Sequence, residues 1–231
     1  MTIPKKFTEY LSQNKIPWDD EKADSFQQFF KQLVEVNERL NLTRITDEED
    51  VYIKHFLDSL SILSLPLSFK DKTLCDVGSG GGFPGIPLAI MHPDLKVTSV
   101  ESTGKKVEFQ KALIKTLALD NVMPIHERVE ELPTDTKFDY VTSRAVARLS
   151  ILIELTYSFV KVGGTMIFLK GPKYVQELEG SEPSFKKLGL NLEIYPIQID
   201  ENERMILLIH KTHEFPLKKR PYGAIKKSPL W

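Results

Sequence analysis

The chain has 231 residues, 41% of them hydrophobic, with 31 Lys and Arg against 32 Asp and Glu and a single cysteine. Its apolar runs, such as 151–155 and 205–209, are broken by charge or proline well before the roughly 18 to 20 residues of a membrane span, and the opening MTIPKKFTEYLSQNK lacks the apolar stretch of a secretion signal. The expectation is a cytoplasmic protein with one sizeable core and no membrane partner; the lone Cys75 excludes an internal disulfide, and no Cys or His neighbours it at metal-ligand spacing.

Residues 19–40 place Phe26, Phe29, Phe30, Leu33 and Val34 on one face of a helix, and that face must pack on something. Thr46 followed by Glu49 has the spacing of a capping box, opening a second helix with Val51, Ile53, Phe56, Leu57, Leu60 and Leu63. Residues 1–65 are therefore read as a helical extension. From Thr73 short apolar runs alternate with longer amphipathic ones, the signature of βαβ units in a largely parallel sheet. Strands are expected near 73–77, 96–101, 122–126, 138–143 and 164–169, with helices near 85–91, 104–118, 147–160 and 173–187. Two last β-rich runs, 191–199 and 204–211, flank the polar Asp200-Glu201-Asn202-Glu203 and read as an antiparallel hairpin closing a domain over 66–212. The remaining tail, 213–231, carries Lys218, Lys219, Arg220, Lys226 and Lys227 with no acid among them, a candidate patch for a polyanion.

The most informative segment is Leu74-Cys75-Asp76-Val77-Gly78-Ser79-Gly80-Gly81-Gly82-Phe83-Pro84-Gly85, where a buried strand runs into a glycine cluster and then a helix. Glycines let the backbone take positive φ and approach a ligand closely, which points to a nucleotide-type ligand. Phe83 stands at the position of the third glycine of a pyrophosphate fingerprint, so that glycine is missing. Asp76 before the loop suits an amino-acid ammonium, or a water near it, better than a pyrophosphate. Glu101 ends the second strand about 20 residues on, where a carboxylate can take both ribose hydroxyls. After the third strand, His126-Glu127-Arg128-Val129-Glu130-Glu131-Leu132 offers a backbone N–H and an acid for an adenine edge, and Arg144 and Arg148 follow the fourth strand on the substrate side. His55, at helical spacing from Asp58, reads as a packing or capping residue rather than a catalyst.

Together these residues resemble the bacterial small-subunit ribosomal RNA methyltransferase G family, also called glucose-inhibited division protein B. The matching segments are Asn41-Leu42-Thr43, His55-x-x-Asp58-Ser59-Leu60, the glycine loop, Glu101-Ser102-x-x-Lys105-Lys106, Val129-Glu130, Ser143-Arg144-Ala145, Leu169-Lys170-Gly171 and Glu203-Arg204. The resemblance implies a Rossmann-like class I methyltransferase sheet of about seven strands and S-adenosylmethionine as cofactor. It implies N7 of one guanine in 16S rRNA as acceptor, presented as RNA or as the small ribosomal subunit; separately from the resemblance, the chain is expected to be a monomer. By position it implies cofactor contacts at Gly78, Phe83, Val129, Glu130 and Arg144, with Asp76, Gly80, Glu101 and Ser102 beside them. Lys170 and Arg204 would lie nearer the RNA, as substrate-positioning groups with Arg144.

Guanine N7 carries a lone pair and no proton, so its methylation needs no general base, and no catalytic dyad is expected. An aromatic such as Phe83 can stack on the target base or pack against the methionine chain of the cofactor. Neutralising Lys218, Lys219 and Arg220 is expected to weaken RNA binding if the tail touches RNA. Two alternatives remain open on the residues: another methyl acceptor, whether RNA, protein or small molecule, and a binding module without catalysis.

Overall fold

The computed structural model describes residues 3–200 and 202–230. Two helices lead the chain, α1 (Lys5–Gln13) and α2 (Asp20–Leu40). Asp19 caps α2 by accepting from the Lys22 N–H at 2.9 Å, and Asn41 ends it in the left-handed region with φ 50°. Next, α3 (Glu48–Val51) runs on through a π-helical segment, Tyr52–Leu57, into α4 (Asp58–Leu60) and a 3-10 turn, Ser61–Ser64. The cap of α3 is Asp47, not Thr46: its carboxylate accepts from the Asp50 N–H at 3.1 Å. Moving the cap by one residue sets a negative charge on the positive end of the helix.

The sheet contains β1 (Thr73–Val77), β2 (Lys96–Glu101), β3 (Val122–His126), β4 (Phe138–Arg144), β5 (Val160–Lys170), β6 (Leu190–Ile199) and β7 (Asn202–Lys211), in the order β3-β2-β1-β4-β5-β7-β6. The first five strands are parallel; β7 runs antiparallel to both β5 and β6, as the expected hairpin requires. Of the polar stretch between β6 and β7, Glu201 lies outside the described residues. Helices α5 (Gly85–Met91), α6 (Gly104–Thr116), α7 (Leu149–Thr156), α8 (Tyr174–Glu179) and α9 (Glu182–Leu188) connect the strands, and α10 (Tyr222–Lys227) follows them.

Two elements differ from the sequence expectation. The single helix expected over 173–187 is α8 and α9, because Ser181 turns its hydroxyl back onto the Glu177 carbonyl at 2.6 Å and Pro183 at the start of α9 cannot donate to a continuing helix. Strand β5 begins at Val160 rather than 164, and its pairing with β4 shifts register between Phe138 and Tyr140. Gly163, at φ 80°, and Gly164, where a Cβ would lie 2.7 Å from the Asp139 carbonyl, allow that bulge.

Alternation along the strands feeds two cores, one on each face of the sheet. Leu74, Ile167, Leu169, Ile206 and Leu208 join α1, α2 and the π-helical segment on one face; Cys75, Val141, Phe168, Leu207 and Ile209 join α7 on the other. Phe215, Leu217, Tyr222 and Ile225 of the C-terminal segment pack against this second core. No helix among the described residues is long and apolar enough to cross a membrane.

Candidate functional site

The strand order reverses between β1 and β4, and open α/β sheets bind ligands outside the carboxyl ends of the strands at such a point. Gly78, Gly80 and Gly82 of the loop after β1 have φ of 69°, 57° and 89°. A Cβ on Gly78 would lie 2.4 Å from Val146 Cγ2, whereas a Cβ on Gly80 would meet nothing nearer than a backbone oxygen at 4.0 Å. Gly78 is thus dictated by packing against the segment after β4, and Gly80 leaves space.

Glu101 fastens this loop. Its Oε2 accepts from the Gly80 N–H at 3.0 Å and its Oε1 from the Thr103 N–H at 2.8 Å, so one acid joins the loop to the entry of α6. A second fastening escaped the sequence reading: the buried amide of Gln110 donates to Ser79 Oγ and to the Gly80 carbonyl, both at 2.8 Å, and accepts from Ser99 Oγ at 2.7 Å. A polar residue on the inner face of α6 was the only sequence signal for it. Asp76 is fully buried; its Oδ2 accepts from the Gly85 N–H at 2.8 Å while Oδ1 has no partner among the described residues. Burial pushes the Asp76 carboxyl up to about 7. A buried carboxylate oxygen left unpaired beside a glycine loop is a place for a ligand's donor.

Two cavities flank the switch point. The first is lined by Gly78, Val100, Ser102, Val129, Glu130, Val146, Leu155 and Tyr222, and the second by Lys54, His55, Asp58, Arg144, Lys170, Glu177 and Arg204. Between them runs the segment after β4: Val146 lines the first, while Arg144, Ala145 and Ala147 line the second. Ala145 holds φ 58°, a left-handed conformation costly for a residue with a Cβ and frequent at functional sites.

Arg144 organises the second cavity. Its Nη1 donates to Asp58 Oδ2 at 2.9 Å and its Nη2 to His55 Nδ1 at 3.3 Å, and its guanidinium lies 4.9 Å from the centre of the Phe83 ring. The other oxygen of Asp58 accepts from Arg204 Nε at 3.1 Å. His55 Nε2 meets Thr43 Oγ1 at 2.7 Å, and the Thr43 N–H donates to the Asn37 side chain at 2.8 Å. With Nδ1 accepting from Arg144, the proton of neutral His55 sits on Nε2. Burial first, and the neighbouring Arg144 second, lower its pKa to about 4. The carbonyls of Lys54 and His55 in the π-helical segment also face Arg144, at 3.5 and 3.4 Å, and a π-helical insertion at a functional site is a recurrent use of that geometry.

Three sequence expectations change. Phe83 is not free to stack on a target base: its ring stacks on Phe29 with centroids 5.1 Å apart and on His55 at 4.9 Å. Lys170 does not reach outward; its buried Nζ donates to Glu177 at 2.7 Å and to the Ala147 carbonyl at 3.1 Å, holding the segment between the cavities. Nor are all cations of the tail available to RNA, because Arg220 pairs with Glu154 at 2.7 Å and Lys219 donates to the Leu132 carbonyl. Gly78, Ser102, Val129 and Glu130 do come together around the first cavity, with Gly80 on the adjoining loop and Asp76 and Glu101 on strands β1 and β2 beside it, and Arg204 joins Arg144 at the second.

A parallel sheet closed by an inserted antiparallel strand, with a glycine loop at its reversal point, defines a Rossmann-like class I S-adenosylmethionine-dependent methyltransferase fold. The crystal structure of TYW2 from M. jannaschii in complex with AdoMet superposes with a TM-score of 0.54 over 72% of this chain and 77% of that one; at 19% identity the likeness concerns the fold alone. Residues 22–206 match the family described as rRNA small subunit methyltransferase G. The ribosomal RNA small subunit methyltransferase G of Lactobacillus acidophilus is 42% identical, covering 98% of this chain and 99% of its own. Its counterpart from Staphylococcus saprophyticus subsp. saprophyticus is 43% identical over 96% of each. The chain belongs to the rRNA small subunit methyltransferase G family.

Proposed function

We propose that this chain transfers a methyl group from S-adenosylmethionine to N7 of one guanine in 16S rRNA, acting as a monomer on the small subunit in the cytoplasm. The observation that carries the reading is the pair of cavities at the switch point, one apolar with a polar rim and one rich in cations, parted by a single stretch of backbone at 144–147.

The first cavity suits a nucleoside. Gly78, Ser102, Val129 and Glu130 would surround it, Glu101 would take the ribose hydroxyls, and the unpaired Asp76 Oδ1 would receive the amino-acid ammonium across the open space at Gly80. S-adenosylmethionine supplies a methyl group already activated as part of a sulfonium. The protein has to orient the acceptor, a contribution worth several kcal/mol, roughly 7 to 11 at most.

N7 brings its own lone pair, so the neutral, enclosed His55 has no proton to remove. Arg144 and Arg204, held by Asp58, serve as positioning groups for the base or its phosphate, with Phe83 beneath Arg144. The carboxylates of Asp58 and Glu177 are already engaged by Arg144, Arg204 and Lys170, so these cations position the base at an electrostatic cost against the positive charge that methylation leaves on the guanine ring. An RNA helix buries N7 in a deep narrow groove, so the acceptor base is unpaired or turned out of its stack.

The test is labelled methyl transfer to small subunits from cells lacking this gene. Label in 16S rRNA, lost in Arg144→Ala, is the expected result; label in a ribosomal protein, or none in RNA despite cofactor binding, refutes the assignment of the acceptor.

A further inference from the structure

We propose that the C-terminal segment completes the nucleoside cavity and that Tyr222 contacts the purine of the bound cofactor. This rests on the S-adenosylmethionine reading of that cavity. Among the described residues, Tyr222 is the one lining residue that lies beyond Leu155 in the chain, brought from the far end to join Gly78, Val100, Val129 and Val146.

Its position is built in rather than incidental. The Tyr222 N–H donates at 2.8 Å to Glu130 Oε1, an acid that itself lines the cavity. Arg220 donates through Nε to Glu154 Oε1 at 2.7 Å and through Nη2 to the Ser228 carbonyl at 2.7 Å, while the Leu230 N–H donates to Glu154 Oε2 at 3.0 Å. The Glu154 side chain on α7 is only 1% exposed, so both oxygens of a buried carboxylate are satisfied by this segment alone. Between these two anchors Ile225 is buried in the core beneath. The cations that suggest a solvated RNA-binding tail therefore include Arg220, whose charge answers a buried acid and fixes the residue two places on.

The chemistry of the cavity fits a purine. Val100, Val129, Val146 and Leu155 give aliphatic surface for a flat ring, Ser102 and Glu130 give polar groups for its edge, and Tyr222 adds an aromatic side chain. Aromatic contact with a base needs a π-face and is indifferent to the methionine end of the ligand.

The experiment is calorimetric titration of the full chain with S-adenosylhomocysteine and, separately, with methylthioadenosine, which lacks the amino-acid portion. Tyr222→Ala and Tyr222→Leu should each weaken both ligands by the same factor, about tenfold, the scale of one stacking contact. Tyr222→Phe should retain wild-type affinity. The leucine variant keeps apolar bulk against the core, so a folding defect confined to the alanine variant leaves the comparison intact. Wild-type affinity in Tyr222→Leu, or weakening for S-adenosylhomocysteine alone, overturns the proposal. A wild-type chain that binds neither ligand overturns instead the cofactor reading on which it stands.

Discussion

The carboxylate of Asp58 sits 2.9 Å from the guanidinium of Arg144, joining the helical extension to the carboxyl end of β4. Both side chains are largely enclosed, and the same carboxylate holds Arg204 from β7 at 3.1 Å. The extension is therefore wired into the second cavity and does more than pack on the sheet. Removing one partner of a buried ion pair costs about 3 to 5 kcal/mol, because the other charge is left without compensation. Asp58→Asn should lower the unfolding free energy by about 3 kcal/mol in urea titration and depress methyl transfer as well. Unchanged stability would mean that the two arginines do not depend on this carboxylate.

Gly78 and Gly80 share a left-handed backbone but differ in what surrounds them. Gly78→Ala adds a collision with Val146 to the backbone cost of about 1 to 2 kcal/mol and should destabilise the protein by more than that cost. Gly80→Ala should lose only the backbone cost in thermal unfolding, yet weaken S-adenosylhomocysteine binding because its Cβ enters the space assigned to the ligand. Equal effects of the two substitutions on both readouts would remove the distinction.

Two buried titratable groups pull the pH dependence of stability in opposite directions. With its pKa lowered to about 4, His55 stays neutral in the folded chain, whereas the unfolded chain takes up the proton near the ordinary value of about 6.5. Its contribution is thus fully present above pH ~6.5 and is lost as pH falls toward about 4. Asp76, raised to about 7, holds a proton in the folded chain that the unfolded chain releases near pH ~3.9, so its contribution is lost as pH rises from there to about 7. In urea unfolding across that range, His55→Asn should remove part of the acid-side loss, and Asp76→Asn should remove part of the decline toward neutrality. Parallel wild-type and variant profiles would contradict the assignments.

How much of this was legible in the sequence follows from the range of the interactions. Strand positions and the glycine loop came through because alternation and glycine clustering are local signals, and the closing hairpin because two β-rich runs flank a short polar stretch. The resemblance brought Arg144 and Arg204 into view, but not the reason for them, since Asp58, His55, Phe83 and Arg144 meet only after more than 80 residues are folded back. The π-helical segment has no pattern of its own in the sequence, and the Arg144 that two of its carbonyls face is about 90 residues further along the chain. For the tail a signal did exist in Phe215, Leu217 and Ile225 interleaved with the cations, an apolar set that a solvated arm has no use for.

RNA binding should draw on the cations that have no protein partner. Arg148 and Lys173 are exposed, make no ion pair among the described residues, and stand just beyond Ala147 and Gly171 of the second cavity. Replacing both with alanine should reduce the slope of log affinity against log salt by about two, roughly one for each phosphate that is no longer neutralised. An unaltered slope would move the RNA path away from this rim.

The most direct measurement is nucleoside analysis of 16S rRNA after reaction with the purified protein and S-adenosylmethionine, using small subunits from cells lacking the gene. The expected result is N7-methylguanosine at a single site, with chain cleavage at that base after chemical treatment and none in the Arg144→Ala reaction. A methyl group on a guanine exocyclic nitrogen, on a ribose or on another base would contradict a mechanism that works without a general base.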